Sequence, residues 1–101
     1  MDRQERVAAF VDEQGWKTDL AYRVLDLQSE VGEIADEVTT TTDYGASPAE
    51  ARVAVDEVGH ALFALLAVAE SAGVDADEAL DTAIAKYERR IAETGDGGSG
   101  E

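Results

Sequence analysis

The chain contains no cysteine, which excludes disulfide bonds, thiolate zinc sites and cysteine nucleophiles. It has a single proline, and four of its nine glycines fall at positions 95–100, so the interior has few helix breakers. No apolar run approaches membrane-spanning length, and the N-terminal MDRQER lacks the apolar core of a signal peptide. These absences predict a cytoplasmic protein without a membrane partner.

Positive charge is scarce: 8 Lys+Arg oppose 23 Asp+Glu, for a formal net charge of −15, and only Lys17 and Lys86 are lysines. So negative a surface repels nucleic acid, which argues against a DNA or RNA partner. The 45% hydrophobic content nevertheless indicates a folded core. An acidic, lysine-poor surface over an apolar core predicts a halophilic source, where salt screens self-repulsion. The alternative is an ordinary acidic bacterial protein.

The hydrophobic pattern is helical throughout and shows no strand alternation, which predicts an all-α fold. Start and stop signals divide the chain into four helices: Asp2 to Gln14, Thr18 to about Thr40, Ser47 to near Gly73, and Asp75 to about Thr94. Short connections favour antiparallel neighbours and therefore a protomer that resembles a four-helix bundle. We expect one domain over residues 1–94 and a disordered, Gly-rich acidic tail over 95–101.

The segment ALFALLAVA, residues 61–69, is apolar around nearly the whole circumference of the third helix. A helix of this kind is usually enclosed on all sides. Three partner helices, one of them short, are too few to enclose it. The pattern therefore predicts a dimer or a higher homo-oligomer.

Two pairs of polar residues recur at helical spacing: Glu30 with Glu33, and Glu57 with His60. Residues i and i+3 share a helical face, so two such faces brought together would form a negatively charged cluster that favours a divalent cation. Oxygen ligands of this type suit Mg²⁺ or Mn²⁺. In so acidic a chain, Glu30 and Glu33 taken alone are better explained as a solvated face than as a metal site. Glu57 is harder to dismiss, because its apolar neighbours require it to have a partner.

A basic segment, KYERR, lies near the end of the fourth helix and contains Lys86, Arg89 and Arg90. One interpretation is favourable placement of positive charge at a helix C-terminus. The other is contact with phosphate, for which arginine offers a bidentate fork. Trp16 and Tyr22, near the start of the second helix, either stack on a nucleotide base or close the end of the bundle.

The segments SEVGEIADE (29–37), DEVGHALFALLAVAESAGVDADEAL (56–80) and KYERR together resemble the MazG-like nucleoside triphosphate pyrophosphohydrolases of the all-α NTP pyrophosphatase superfamily. The family pattern is E-x-x-E on one helix, a loop, E-x-x-D on the next helix and a basic segment on a final helix. The resemblance covers about Leu20 to Arg90. It implies hydrolysis of a nucleoside triphosphate to pyrophosphate and a nucleoside monophosphate, in a house-cleaning role, by a dimer or tetramer.

The resemblance also implies roles for individual residues. Glu30, Glu33 and Glu57 would be the catalytic carboxylates that hold Mg²⁺, with His60 at the fourth metal position. Lys86, with Arg89 or Arg90, would steady the phosphates of the substrate. Trp16 is the weaker candidate for contact with the base.

The departure from the family pattern is His60, where the family has Asp. Imidazole is a softer ligand than carboxylate and suits Mn²⁺ or another transition metal better than Mg²⁺. His60 is therefore a ligand in a metal-shifted site, a neighbouring group in a weakened site, or the mark of a site without activity. The last case predicts a catalytically impaired nucleotide-binding or regulatory partner protein. A plain helical interaction module is a third hypothesis.

Overall fold

The computed structural model describes residues 2–95, and within that range the fold is all-α, as predicted. A short 3₁₀ turn, Pro48–Glu50, lies in the long connection between the second and third helices. The tail predicted to be disordered lies, beyond Gly95, outside the described residues. The four helices are α1 (Arg3–Gln14), α2 (Leu20–Thr41), α3 (Val55–Ala72) and α4 (Ala76–Thr94).

Capping side chains fix the starts of the first and last helices. The Asp2 carboxylate accepts a hydrogen bond from the Glu5 N–H at 2.8 Å, and the Glu5 carboxylate accepts one in return from the Asp2 N–H at 2.9 Å. The predicted cap of α4 is confirmed, because Asp75 accepts from the Glu78 N–H at 3.0 Å. Glycines with φ of 69° and 70° end α1 and α3 in the left-handed region.

Two predicted helix starts were wrong. The residue that precedes α2 is Asp19 rather than Thr18. Ser47 opens only the 3₁₀ turn and caps nothing with its side chain, and α3 begins at Val55. For α3 the physical reason is competition for backbone N–H groups. Side chains of α2 accept hydrogen bonds from the segment between the turn and α3, so that segment is not helical.

Two side chains of α2 hold that segment. The Ala54 N–H donates to Glu37 Oε1 at 2.9 Å, and the Arg52 N–H donates to Thr41 Oγ1 at 3.1 Å. Ala54, which precedes α3, has extended backbone and no capping side chain of its own. Glu37 therefore places a carboxylate at the N-terminus of α3, where the helix dipole favours negative charge.

The third helix is the centre of the protomer. Extensive packing among the described residues is limited to α2 against α3 and α1 against α3. The most buried α3 side chains are small or aliphatic and face the other two helices. The core consists of Val7, Leu66 and Ala67, with Val11, Phe63 and Ala76 packed around them.

A single side chain ties the N-terminal helix to the turn between α3 and α4. Gln4 Nε2 donates to the Val74 carbonyl at 2.8 Å and to Glu70 Oε1 at 3.1 Å. Gln4 Oε1 accepts from the Ala76 N–H at 2.7 Å. The start of α4 is thereby fixed to α1. The chain bends by 100° between α3 and α4.

The protomer is open because α4 turns away instead of folding back along α3. The Cα radius of gyration is 16.6 Å, whereas a compact chain of this length has about 13 Å. One face of α4 carries apolar residues at helical spacing, and all of them are about half exposed: Leu80, Ile84, Tyr87 and Ile91. On α3, Leu62 and Leu65 are also uncovered, at 43% and 49% exposure.

Within residues 2–95, no helix is by itself long and apolar enough to cross a membrane. Taken together, α3 and α4 satisfy the length and composition criterion, although a sharp bend separates them.

A substitution at Leu66 tests whether the contact between α1 and α3 is the core of the protomer. Leu66→Ala is expected to lower the free energy of unfolding by about 2–4 kcal/mol, because the side chain is only 7% exposed and its loss leaves a cavity. Urea unfolding at fixed protein concentration measures the change. The matched control is Val55→Ala, at a residue 90% exposed, which should stay within about 0.5 kcal/mol of the parent. Equal effects of the two substitutions would contradict the core assignment.

Candidate metal centre

The packing of α2 along α3 brings together Glu30, Glu33 and His60. One potential ligand atom from each residue lies within 4.8 Å of the others. The His60 Nδ1 atom is 4.0 Å from Glu30 Oε1. Glu30 is half-buried, with a side-chain exposure of 22%, whereas Glu33 and His60 are exposed. The two motifs that lie 27 residues apart in sequence therefore meet at one place, with two carboxylates and one imidazole.

Negative charge is crowded at this cluster. The pKa of Glu30 is raised from its ordinary value of 4.5, chiefly because the protonated carboxyl can hydrogen bond to Glu33. Partial burial and the charges of Glu33 and Asp26 raise it further, while His60 lowers it. A divalent cation bound between the two carboxylates would relieve the same repulsion between their negative charges.

Glu57 lies beside this cluster but is not one of the three closely grouped ligands. Its side chain is half-buried, and burial is the largest cause of its raised pKa. The charges of Glu33, Asp56 and Glu37 also raise the pKa, and His60 lowers it. Glu57 is thus partly desolvated and interacts electrostatically with charged groups on both helices.

The other two acidic residues on this side of α2 have separate surroundings. Glu37 accepts the Ala54 N–H at the start of α3 and so helps to set how α3 lies against α2. Asp26, one helical turn before Glu30, lines a cavity of about 270 Å³ next to the cluster. The sequence alone indicates neither role, because each depends on a contact with a residue or cavity wall outside α2.

The cavity beside the cluster has aromatic walls. It is lined by Trp16, Asp26, Glu30, Gly59, His60 and Phe63. Phe10 contacts both aromatic walls edge to face, with ring centroids 5.4 Å from Trp16 and 6.1 Å from Phe63. Trp16 remains 53% exposed, so its ring does not seal the end of the helices. Tyr22 is exposed and takes no part in this cavity.

The basic residues of α4 are not brought to the cluster within one protomer. Lys86 and Arg89 are exposed and Arg90 is half-buried. Among residues 2–95, none of the three forms an ion pair, and α4 does not pack extensively on α2. A single copy of the chain therefore separates the acidic cluster from the predicted phosphate contacts.

Comparison with known proteins gives one family match. A family model described as the MazG nucleotide pyrophosphohydrolase domain matches residues 21–94. This range covers the acidic cluster, both helices that carry it and the basic segment of α4. No curated protein and no solved structure gives a match.

The raised pKa values of Glu30 and Glu57 predict a pH-dependent cation effect. Both groups hold protons more tightly in the folded chain than in the unfolded chain. Ionisation of these groups as the pH rises therefore lowers the free energy of unfolding of the cation-free protein, and acidification restores it. A divalent cation needs both carboxylates ionised. We therefore expect Mn²⁺ to raise the melting temperature near neutral pH, and this rise to disappear as the pH falls towards 4.5.

Glu33→Gln provides the check on that prediction. Without added cation and at low salt, the variant should melt about 2 °C higher than the parent, because a like-charge pair has been removed. It should also lose most of the stabilisation by Mn²⁺. Asp36→Asn, an equal charge change at an exposed position of α2, should retain it. A full Mn²⁺ effect in Glu33→Gln would contradict the site.

Proposed function

Because the chain belongs to the MazG nucleotide pyrophosphohydrolase family, we propose that it hydrolyses a nucleoside triphosphate to pyrophosphate and a nucleoside monophosphate. The observation that carries the proposal is the meeting of Glu30, Glu33 and His60 between α2 and α3, inside the matched range. This arrangement supports a divalent cation at the place where a triphosphate would bind. A house-cleaning role in the nucleotide pool is part of the proposal.

The donor set fits a divalent cation. Glu30 and Glu33 offer hard oxygen ligands, and His60 offers one borderline nitrogen ligand. Glu57 lies nearby and could add another oxygen. Mg²⁺ would use the oxygen ligands, and His60 favours Mn²⁺ or another transition metal in the same place. A bound cation would supply charge neutralisation for the triphosphate and acidify water.

The protein's own residues would do the remaining work by position and charge. Glu30 and Glu33 would hold the cation, and Glu57, whose partial burial raises its pKa, would accept a proton from the water that attacks the phosphate. The phosphates need positive charge on their other side, because the cluster itself is acidic. Lys86, Arg89 and Arg90 are the candidates for that contact.

A second copy of the chain would bring that positive charge to the cluster. The apolar stripe of α4, defined by Leu80, Ile84, Tyr87 and Ile91, is half exposed, and α3 leaves Leu62 and Leu65 uncovered. If the α4 stripe of one copy packed against the uncovered leucines of α3 in a second copy, both apolar surfaces would be covered. The basic segment of the first copy would then lie near the acidic cluster of the second. We therefore include a homo-oligomer, dimer or tetramer, in the proposed function.

The direct test is pyrophosphate release from a panel of nucleoside triphosphates with Mg²⁺ or Mn²⁺, at low and high salt. Glu57→Gln should reduce the rate by about 100-fold or more, since proton acceptance is lost at nearly constant shape. Absence of release under every condition, for the parent chain, would remove the enzymatic proposal. Activity that rises with salt would agree with the predicted halophilic source.

His60→Asp tests the metal preference. If His60 is a ligand, the variant is expected to gain Mg²⁺-dependent hydrolysis by about tenfold relative to its Mn²⁺-dependent rate, because a harder oxygen donor replaces nitrogen. The melting temperature should shift in the same way, with more stabilisation by Mg²⁺ and less by Mn²⁺. An unchanged ratio of the two metals would place His60 outside the ligand set.

Mixing two inactive variants tests the contribution of the second copy. Glu33→Gln loses the acidic cluster and Arg89→Ala, combined with Arg90→Ala, loses the basic segment. If the two parts come from different copies, an equal mixture of the variants in exchanging dimers should recover about one quarter of the parent activity. Covalently linked parent dimers serve as the control. No recovery despite subunit exchange would contradict the shared site.

A second candidate function is a nucleotide-binding or regulatory partner protein without catalysis. The observation that favours it is the same histidine at the metal position, with 56% of its side chain exposed. It predicts a melting-temperature rise with nucleotide and metal but no pyrophosphate release. Cytoplasmic localisation and the absence of nucleic-acid partners remain predictions from the sequence.

A further inference from the structure

The cavity beside the metal cluster has a composition suited to a neutral, flat ligand. The cavity is lined by two carboxylates, Asp26 and Glu30, and by two aromatic rings, Trp16 and Phe63. Neither Lys nor Arg lines it. A phosphate group would be repelled by the two carboxylates. An uncharged aromatic ring with N–H donors would instead find stacking surface and acceptors.

Trp16 is held in place even though its ring is half exposed. Its backbone N–H donates to the Val11 carbonyl at 3.0 Å, and its carbonyl accepts from Arg23 Nη2. Phe10 supports the indole edge to face from the other side. A rigid, accessible indole loses little freedom when a ring stacks on it, so this wall is preorganised for a base.

Gly59 is a further feature of the cavity wall. It lies inside α3, where glycine is unfavourable relative to alanine. A Cβ built at Gly59 meets no atom within 4 Å, so close packing does not require glycine there. Gly59 lines this cavity and also a second one between α1 and α3, so a methyl group at this position would fill space that glycine leaves open beside the proposed base site.

We propose that this cavity, within the nucleotide site of the proposed function on which the inference rests, binds the base and that Asp26 selects guanine. A carboxylate only accepts hydrogen bonds, and its two oxygens match two parallel N–H donors. Guanine offers that pair at N1 and N2. Adenine and cytosine place a ring acceptor beside their amino group, and uracil and thymine flank one N–H with two carbonyls. Asp26 lies one turn from Glu30, which places the base next to the cation site.

The test uses nucleoside monophosphates, so that binding is read without turnover. Trp16 is the only tryptophan in the chain, and quenching of its fluorescence therefore reports on this cavity. GMP is expected to bind about tenfold more tightly than IMP, which lacks only the N2 amino group, because one charge-assisted hydrogen bond is lost. Equal quenching constants for GMP and IMP would overturn the assignment.

Asp26→Asn should bring the ratio of the GMP and IMP constants close to one, because an amide replaces one acceptor by a donor. Asp36→Asn, with the same charge change on the same helix but outside the cavity, should keep the parent ratio. A parent-like ratio in Asp26→Asn overturns the role of Asp26. Guanine-selective binding without any pyrophosphate release would contradict the proposed hydrolysis but support guanine selection by this cavity. Hydrolysis without base selection would support the proposed hydrolysis and contradict guanine selection.

Gly59→Ala separates the cavity from general stability. The added methyl group should raise the melting temperature by about 3–6 °C through helix propensity, while it weakens GMP binding about fivefold or more by occupying the cavity. Gly32→Ala, at a glycine of α2 that also has open space but lines none of the cavities described, should stabilise the chain without weakening GMP. Unchanged GMP binding in a stabilised Gly59→Ala would overturn the proposal.

Discussion

The packing of α2 along α3 is the constraint on which the site depends. Apolar side chains favour the close approach of the two helices, and that approach brings the carboxylates of Glu30 and Glu33 next to His60 and near Glu57. The pKa of Glu30 is raised chiefly by its hydrogen bond to Glu33 and that of Glu57 chiefly by burial, and repulsion from neighbouring carboxylates raises both further. Hydrophobic burial therefore maintains an electrostatically unfavourable arrangement, and a cation is the ligand that relieves it.

The position of α3 along α2 is fixed by polar contacts at one end. Glu37 accepts the Ala54 N–H and Thr41 accepts the Arg52 N–H, so the start of α3 is attached to α2 by hydrogen bonds of defined length. Apolar contact alone would allow the helices to slide, because it has no preferred direction. Glu37 thus helps to set the geometry on which the proposed metal binding by Glu30 and Glu33 and the proposed base contact by Asp26 depend.

Much of this arrangement follows from the sequence. Period and capping residues are local properties, which is why the all-α class and the cap at Asp75 could be predicted. The start of α3 could not, since Glu37 competes for its backbone from 17 residues away. The direction of α4 also depends on a distant side chain, Gln4. The cavity beside Trp16 joins two helices and a loop, so no single sequence motif predicts it.

Gln4 has a consequence for the order of folding. Its partners Glu70, Val74 and Ala76 lie 66, 70 and 72 residues further along the chain. During synthesis α1 leaves the ribosome first, and its docking partner emerges only when α3 is complete. Closing so long a loop is entropically costly, so local helices form before this contact. We therefore expect the orientation of α4 to be set late in folding, after the contact of α2 with α3 that carries the acidic cluster.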